Sequence, residues 1–496
     1  MLLALALLTA CVTGRTATSA PAAMGTPSPA TTASPTAPLA PATATPTDTP
    51  VPPTAPPTPT ATATPTQTPW PTPTATATPS PTPTLTPTPD PELLVARPGT
   101  AWNFELVGHH PLDSAGWHGA LALHGRCAYV GNCNRPELNI ADISDPASPA
   151  HLGALSLPAG SQPTEVRTLP GRDLLVVADL SSHARLLTYD ISDCASPRPL
   201  GSFQMPQPVH EFYLWHGDGR VLFYGATFDH VPPYLVVIDL TDPAEPRQVT
   251  TWSARDDGVP GIMHSLSVSR DGTQAYLAMW DGGFVVAYID PPHIAVARDA
   301  KGGFQPAEGE NVHSAVALGG TPYVLLASEV FRCPFAGLAV ADISDPAHPQ
   351  IVSRLTLAEN RCQNLPGGGA VFTPHNPLVV SSAAAQGDEP DPNATEPAIL
   401  AFVSWYSAGV QAVDLSDPRS PQRAGQFVPS GDDVAPRSYL GSYPVQMCSY
   451  PIVRDGLIYV SDSIGGLYVL RYTGPHAGWL ADVSLAESNV TAPPIR

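Results

Sequence analysis

Imidazole is the side chain best suited to binding a metal near neutral pH, and this sequence spaces its imidazoles at a regular interval. His118, Glu165, His210, His264, His313 and His375 recur roughly fifty residues apart, each opening an apolar run such as "HSAVAL" or "HNPLVV". A seventh copy of the surrounding pattern carries Ser449 or Tyr450 at that place. Imidazole and carboxylate together suit transition metals such as copper, zinc or iron, and three donors converging on one point leave a coordination position open. The same residues fit a plainer role, in which each repeat inherited a histidine that hydrogen-bonds channel water or a neighbouring backbone. Even placement round a wide ring would hold them too far apart to share one ion. The choice therefore turns on the elements that carry them.

Those elements announce themselves in a repeated phrase. "ADISDPASP" from Ala141 returns as "YDISDCASP", "VIDLTDPAEP", "VADISDPAHP" and "AVDLSDPRSP". Around each copy run an apolar strand, a Gly-containing turn, a second apolar strand, a polar turn, the D-I-S-D-P strand and one more short strand. β-Branched and aromatic residues fill the strands between Gly, Pro and Asp breakers. The pattern predicts four-stranded antiparallel blades. Their period predicts an all-β, seven-bladed β-propeller, because one blade cannot bury both faces until neighbours stack on it.

Third strands are expected to end at Asp142, Asp190, Asp239, Asp290, Asp342 and Asp414; the seventh copy, "GGLYVLRYTG", has Arg471 there and lacks a fourth strand. "NFELVGHHPL" from Asn103 reads as a fourth strand and precedes the first blade. The N-terminal strand is therefore expected to close the last blade, which removes exposed sheet edges. The repeated aspartates are assigned a structural role, accepting hydrogen bonds from backbone NH groups in the turn, while Pro blocks further pairing. First strands line the channel of a propeller. The histidine series then lies at one mouth, with His109, His110 and His230 on loops of the same face and His124 on the opposite one.

On "GLAVADISDPAHP", "GVQAVDLSDPRSP" and "DGLIYVSDSIGGLYVLRYTG", the chain resembles LVIVD-repeat proteins over roughly Asn103 to Gly474. The resemblance implies a bacterial extracytoplasmic β-propeller. It hands over no catalytic residues, since that family is largely without assigned activity. Seven-bladed propellers with histidine metal sites at the channel mouth, such as selenium-binding proteins of the methanethiol oxidase type, are similar in fold alone. That analogy implies an alternative function, a metal-dependent enzyme of the oxidase kind.

The opening "MLLALALLTAC" resembles the lipobox of a bacterial lipoprotein, which implies a lipid on Cys11 and a signal over residues 1–11. No basic residue precedes it, so the basic n-region of such a signal is expected upstream of Met1. Residues 12–92 are almost only Pro, Thr, Ala and Ser. They read as a disordered, mucin-like stalk reaching at most ~200 Å at about 3.1 Å per residue. The propeller is expected over residues 93–474 and a C-terminal tail over residues 475–496.

A net charge of −20 with one lysine, Lys301, repels phosphate backbones and anionic headgroups, which excludes nucleic acid as a partner. No later run reaches the ~18 apolar residues of a membrane span, so the membrane is reached through Cys11 alone. No G-x-S-x-G, H-E-x-x-H or G-x-x-x-x-G-K-[ST] motif is present. Asp388, Glu389, Asp391 and Glu396 form an acidic loop whose spacing is not that of an EF-hand, which makes it a weaker candidate for calcium.

Of seven cysteines, six follow Cys11, an even number that predicts disulfides in an exported chain. Cys127 and Cys133 lie along one strand and are too far apart to bond. The favoured pair is Cys333 with Cys362, and Cys133 with Cys448 and Cys127 with Cys194 complete the set. Together these features describe an extracytoplasmic propeller, lipid-anchored to the bacterial cell envelope. Its function reads as a binding or scaffold module whose histidine face meets a protein, glycan or small-molecule ligand.

Overall fold

The computed structural model describes residues 95–112, 117–169, 171–228, 234–297, 303–363, 365–382, 398–431 and 443–485. Cys11, the stalk, His230 and the acidic loop with Asp388, Glu389, Asp391 and Glu396 lie outside the described residues. Within them the chain forms seven antiparallel sheets, consecutive in sequence, as the repeat predicts. Blade one spans His118–Ser156, blade two Glu165–Gln204, blade three Glu211–Trp252, blade four Ser265–Val296 and blade five Ser314–Leu355. Blade six spans Pro377–Phe427 and blade seven Ile452–Tyr472. Among the described residues, helix is confined to two short 3-10 turns, Ala358–Arg361 and Ala477–Asp482. No helix among the described residues is long and apolar enough to cross a membrane.

Burial follows strand position. The inner strands are buried on both faces and read as continuous apolar runs, as in Cys127–Asn132 and Leu174–Ala178. The outermost strands alternate: Ala150–Ser156 is exposed at every second residue. This is the burial expected of a blade stacked between two neighbours with only its rim in water. The cores accordingly lie between blades. Leu121 and Val130 of blade one share a cluster with Ile452, Val460 and Val469 of blade seven.

Ring closure goes further than the expected overlap. Phe104–His110 pairs along the third strand of blade seven, from Phe104 opposite Tyr472 to His110 opposite Leu467. Just before it, Ala101 and Trp102 pair with Phe427 and Gln426, adding a fifth strand to blade six. One N-terminal segment thus clasps two successive blades. His109 and His110 end that strand instead of lying on loops, and the His109 ring stacks on Tyr468 at 4.3 Å.

The repeated phrase resolves into paired turns that dock on the neighbouring blade. Asp142, Asp190, Asp239, Asp342 and Asp414 each accept a hydrogen bond at 2.8–2.9 Å from the backbone NH two residues on. The aspartate before each proline repeats the device, as Asp345 does for Ala347 NH. The finished turn then sits on the preceding blade: Thr188 Oγ1 donates to Pro243 O at 2.7 Å, and Ser353 Oγ to Pro418 O at 2.6 Å. Gly201 is required at such a seam, since a Cβ there would stand 2.6 Å from Pro243 O.

These aspartates support the fold. Hydrogen bonds from Ser344, with Arg419 of the next blade adding attraction, hold the Asp342 carboxyl below the usual carboxylate range. A lowered folded-state pKa adds stability above the unfolded value, and that stability is lost as pH falls through the folded value. Asp342→Ala is expected to cost about 1 kcal/mol at pH 7 in urea unfolding, with the difference vanishing in acid below both pKa values.

Two expected disulfides are formed. Cys127–Cys194 bonds blade one to blade two, with Cys194 standing where other copies of the phrase have proline, at a Cα separation of 5.9 Å. Cys333–Cys362 ties the loop after the second strand of blade five to the turn following its fourth, at 5.7 Å. The third expected pair is a correction. Cys133 and Cys448 line one cavity but are not bonded to each other: the Cys448 thiol is 2.8 Å from Ser463 Oγ, and the Cys133 sulfur packs on Gly119.

Candidate metal centre at the channel mouth

Two positions of the repeat build this site. The first is the residue that opens each first strand. Pairing register places Glu165 opposite Ala178, Glu211 opposite Ala226, Ser265 opposite Ala278 and Ser314 opposite Ala327. Glu165 is thus equivalent to Glu211, one residue beyond the histidine position, which Thr164 fills in blade two. The second position lies at or just beyond the end of each second strand. It supplies Phe228, Trp280, Glu329 and Tyr406 from blades three to six, and Cys133, Leu180 and Ser463 from blades one, two and seven. All seven face one cavity of about 130 Å³.

The histidines do not form an even ring. Those of blades three to six lie in contact as one chain: His210 and His264 have ring centroids 4.5 Å apart, His264 and His313 3.9 Å, and His313 and His375 4.2 Å. The Nε2 atoms of His210 and His264 are 3.0 Å apart. Carboxylates enter this chain at two places. His210, Glu211 and His264 each offer a donor atom within 4.8 Å of the others, as do His264, His313 and Glu329. His264 belongs to both sets.

The two remaining members of the series stand apart. Glu165 lines the cavity but is ion-paired at 2.7 Å with Arg167, whose buried guanidinium lies over the rings of Tyr450 and Phe212. His118 is fully buried at the seam of blades one and seven, its backbone NH donating to Ser463 O, and it does not line the cavity. His124 is at the far end of the same strand, 3.0 Å from Asp173.

Burial sets the protonation states. It pushes His210 down to about 4 and His375 to about 3, and it holds His264 and His313 well below the imidazole range. These imidazoles are neutral at pH 7, the form that ligates a metal. Burial also raises Glu329 to about 8 and, with the nearby Glu165, lifts Glu211 well above the carboxylate range. In the metal-free protein both acids hold their protons, and an arriving cation would displace them.

Surrounding groups orient the donors. His375 Nδ1–H donates to Cys448 O at 2.6 Å, which turns the Nε2 lone pair toward Glu329 Oε1, 3.7 Å away. Tyr406 OH donates to the same Glu329 oxygen at 2.5 Å, and Tyr450 OH to Glu211 Oε2 at 2.7 Å. His210 stacks on Phe228 and His264 on Trp280. His313 Nε2 is buried without a hydrogen-bond partner.

Glu211, Glu329 and Tyr406 are the functional candidates that the histidine spacing passed over; Tyr450, read as the seventh blade's place in the series, holds Glu211 instead of joining the histidines. Glu211 had a signal: it follows His210 where the other histidines are followed by Gly119, Ser265, Ser314 and Asn376, and only blade two, with Thr164 in place of histidine, also has a glutamate there, Glu165. Glu329 and Tyr406 occupy the second repeat position, whose residue type changes from blade to blade and so leaves no pattern to read.

Comparison with known proteins agrees with the architecture. A family model of the LVIVD repeat matches residues 115–155, which cover blade one, and 335–356, the second half of blade five. No curated protein matches the sequence. Among solved structures, the crystal structure of Raptor from Chaetomium thermophilum is similar, with a TM-score of 0.50 and 12% identity over 75% of this chain and 30% of that one. This chain spans under a third of the Raptor chain, and at that identity the likeness shows the fold alone.

Proposed function

We propose that this chain is an extracytoplasmic binding module whose propeller holds a transition metal ion, copper, zinc or iron, at its channel mouth. His264, His313 and Glu329 form the principal donor set, with His210 and Glu211 beside them and His375 oriented by Cys448. One observation carries the reading: neutral, buried imidazoles lie in mutual contact, with Nε2 of His264 3.0 Å from Nε2 of the adjoining His210 and His313 Nε2 without a partner. Buried polar atoms are ordinarily satisfied, and two nitrogens each ~2.0–2.1 Å from one ion stand about 3 Å apart. When bound, the ion supplies a Lewis acid with room for a further ligand. The cavity beside it is the observation that favours the second reading, a metal-dependent enzyme.

Protein purified without a His-tag is expected to retain about one equivalent of metal after incubation with Cu²⁺, Zn²⁺ and Fe²⁺ in turn and dialysis. Less than roughly a tenth of an equivalent of each would end the metal reading and leave a metal-free binding module.

Two disulfides support an oxidising compartment, and the lipobox-like start supports a lipid anchor on Cys11. Cys11→Ser is expected to release the protein from the membrane fraction. Retention after a carbonate wash would overturn the anchor.

A further inference from the structure

The cavity is lopsided, and its shape points to a ligand. Blades three to six fill their share with aromatic rings: Phe228, Trp280 and Tyr406 line it, joined by Phe331, which packs edge-on against Tyr406 at 5.7 Å. Blades seven and one offer small side chains on their side, Gly119, Cys133, Ser449 and Ser463 among them, while blade two offers Thr164, Glu165 and Leu180. The open volume is therefore the space those small residues leave, bounded on one side by aromatic rings and by His210, His264 and His375. Backbone contact keeps it open. A Cβ on Gly119 would stand 2.9 Å from Thr164 O, so that wall cannot grow inward without a backbone shift.

Size and polarity narrow the occupant. About 130 Å³ is close to the ~150 Å³ that accommodates one benzene ring. Aromatic walls favour a planar ring packed edge-on or offset against them. On the open side, Thr164 lines the cavity at 9% exposure, and its hydroxyl has no hydrogen-bond partner. A buried hydroxyl without a partner is costly, and a polar group on the occupant would satisfy it.

We infer that the cavity binds a small planar compound of five or six ring atoms that ligates the metal through one ring atom and hydrogen-bonds Thr164 through another polar group. This rests on the metal reading above. The ring lies against the aromatic wall of blades three to six, and its donor atom takes the open coordination position.

Imidazole serves as the probe, since one nitrogen ligates and the opposite N–H donates to a hydroxyl. Ammonia is the ringless control. Leu180→Trp fills the void from blade two, which has Thr164 at the histidine position. The repeat already accepts that ring at the equivalent place, where Trp280 stands in blade four.

Copper content is measured first, then imidazole and ammonia are titrated against the Cu²⁺ visible absorption. Wild-type protein is expected to bind imidazole about 30-fold more tightly than L180W, with copper content unchanged and ammonia affinity within about threefold. Equal imidazole affinity in the two proteins, with copper retained, overturns the inference and leaves the metal reading standing. Copper below about a tenth of an equivalent in the wild type removes both. Should L180W fail to fold, Thr164→Val carries the test. It is expected to weaken imidazole about fivefold and leave 1-methylimidazole, which has no N–H to donate, unchanged. Equal effects on the two probes overturn the inference.

Discussion

His264→Ala is expected to lower metal affinity by about 100-fold or more, so that dialysed protein retains less than roughly a tenth of an equivalent. His264 is the one side chain common to both donor sets, and its ring lies between those of His210 and His313. Its removal leaves each set with one histidine and one carboxyl, and the neighbouring acids then keep their protons. Two controls separate ligation from general damage. His124→Ala, at the far end of the first strand of blade one, should retain the metal in full. His118→Ala is the sharper control, because His118 shares the repeat position of His264 yet belongs to neither donor set. If every histidine of the series mattered equally, H118A would lose metal as H264A does, and a site confined to blades three to six would be wrong. Near-UV circular dichroism on each variant shows whether the propeller has kept its packing.

How far the sequence discloses this site follows from what repetition records. Blade number, strand order and the ends of the third strands are legible because each blade obeys the same packing rules and writes the same turn. Asp142 and Asp342 have the same partners two residues on because the turn demands it. The mouth of the channel is subject to no such rule. There the blades differ, and the differences are what make a cavity: Trp280 and Leu180 are equivalent in backbone and opposite in effect. Spacing locates the histidines, but it cannot say that those of blades three to six touch while that of blade one belongs to neither donor set.

Register misleads in a similar way. Glu165 reads as a member of the histidine series because it opens its strand, yet pairing opposite Ala178 makes it the counterpart of Glu211. A shift of one residue along a strand changes the face presented, which spacing near fifty residues is too coarse to detect. Of the cysteines, Cys333 with Cys362 follows from loops that share a face, and Cys127 with Cys194, expected only to complete the set, is formed as well. The expected bond from Cys133 to Cys448 required two thiols at one mouth to meet, and sharing a cavity does not ensure it.

Deleting residues 101–110 is expected to abolish cooperative folding of the whole propeller. The segment supplies the outer strand of blade seven and the added strand of blade six, so its loss exposes two edges at once. Open edges with unpaired NH and C=O groups invite association between chains, and the deletion variant should aggregate on refolding. Side-chain packing adds to the effect. Phe104 is buried between the two blades, with its ring 6.2 Å from Phe402 of blade six and 5.4 Å from Tyr472 of blade seven. Phe104→Ala keeps the backbone pairing and removes only that ring. It is expected to cost about 3–5 kcal/mol in denaturant unfolding while the transition stays cooperative. The two variants together separate strand pairing from packing: a deletion no more damaging than F104A would show that the ring alone clasps the blades. A deletion variant that melts at the temperature of the intact protein would mean that blades six and seven hold the circle closed without the N-terminal strand.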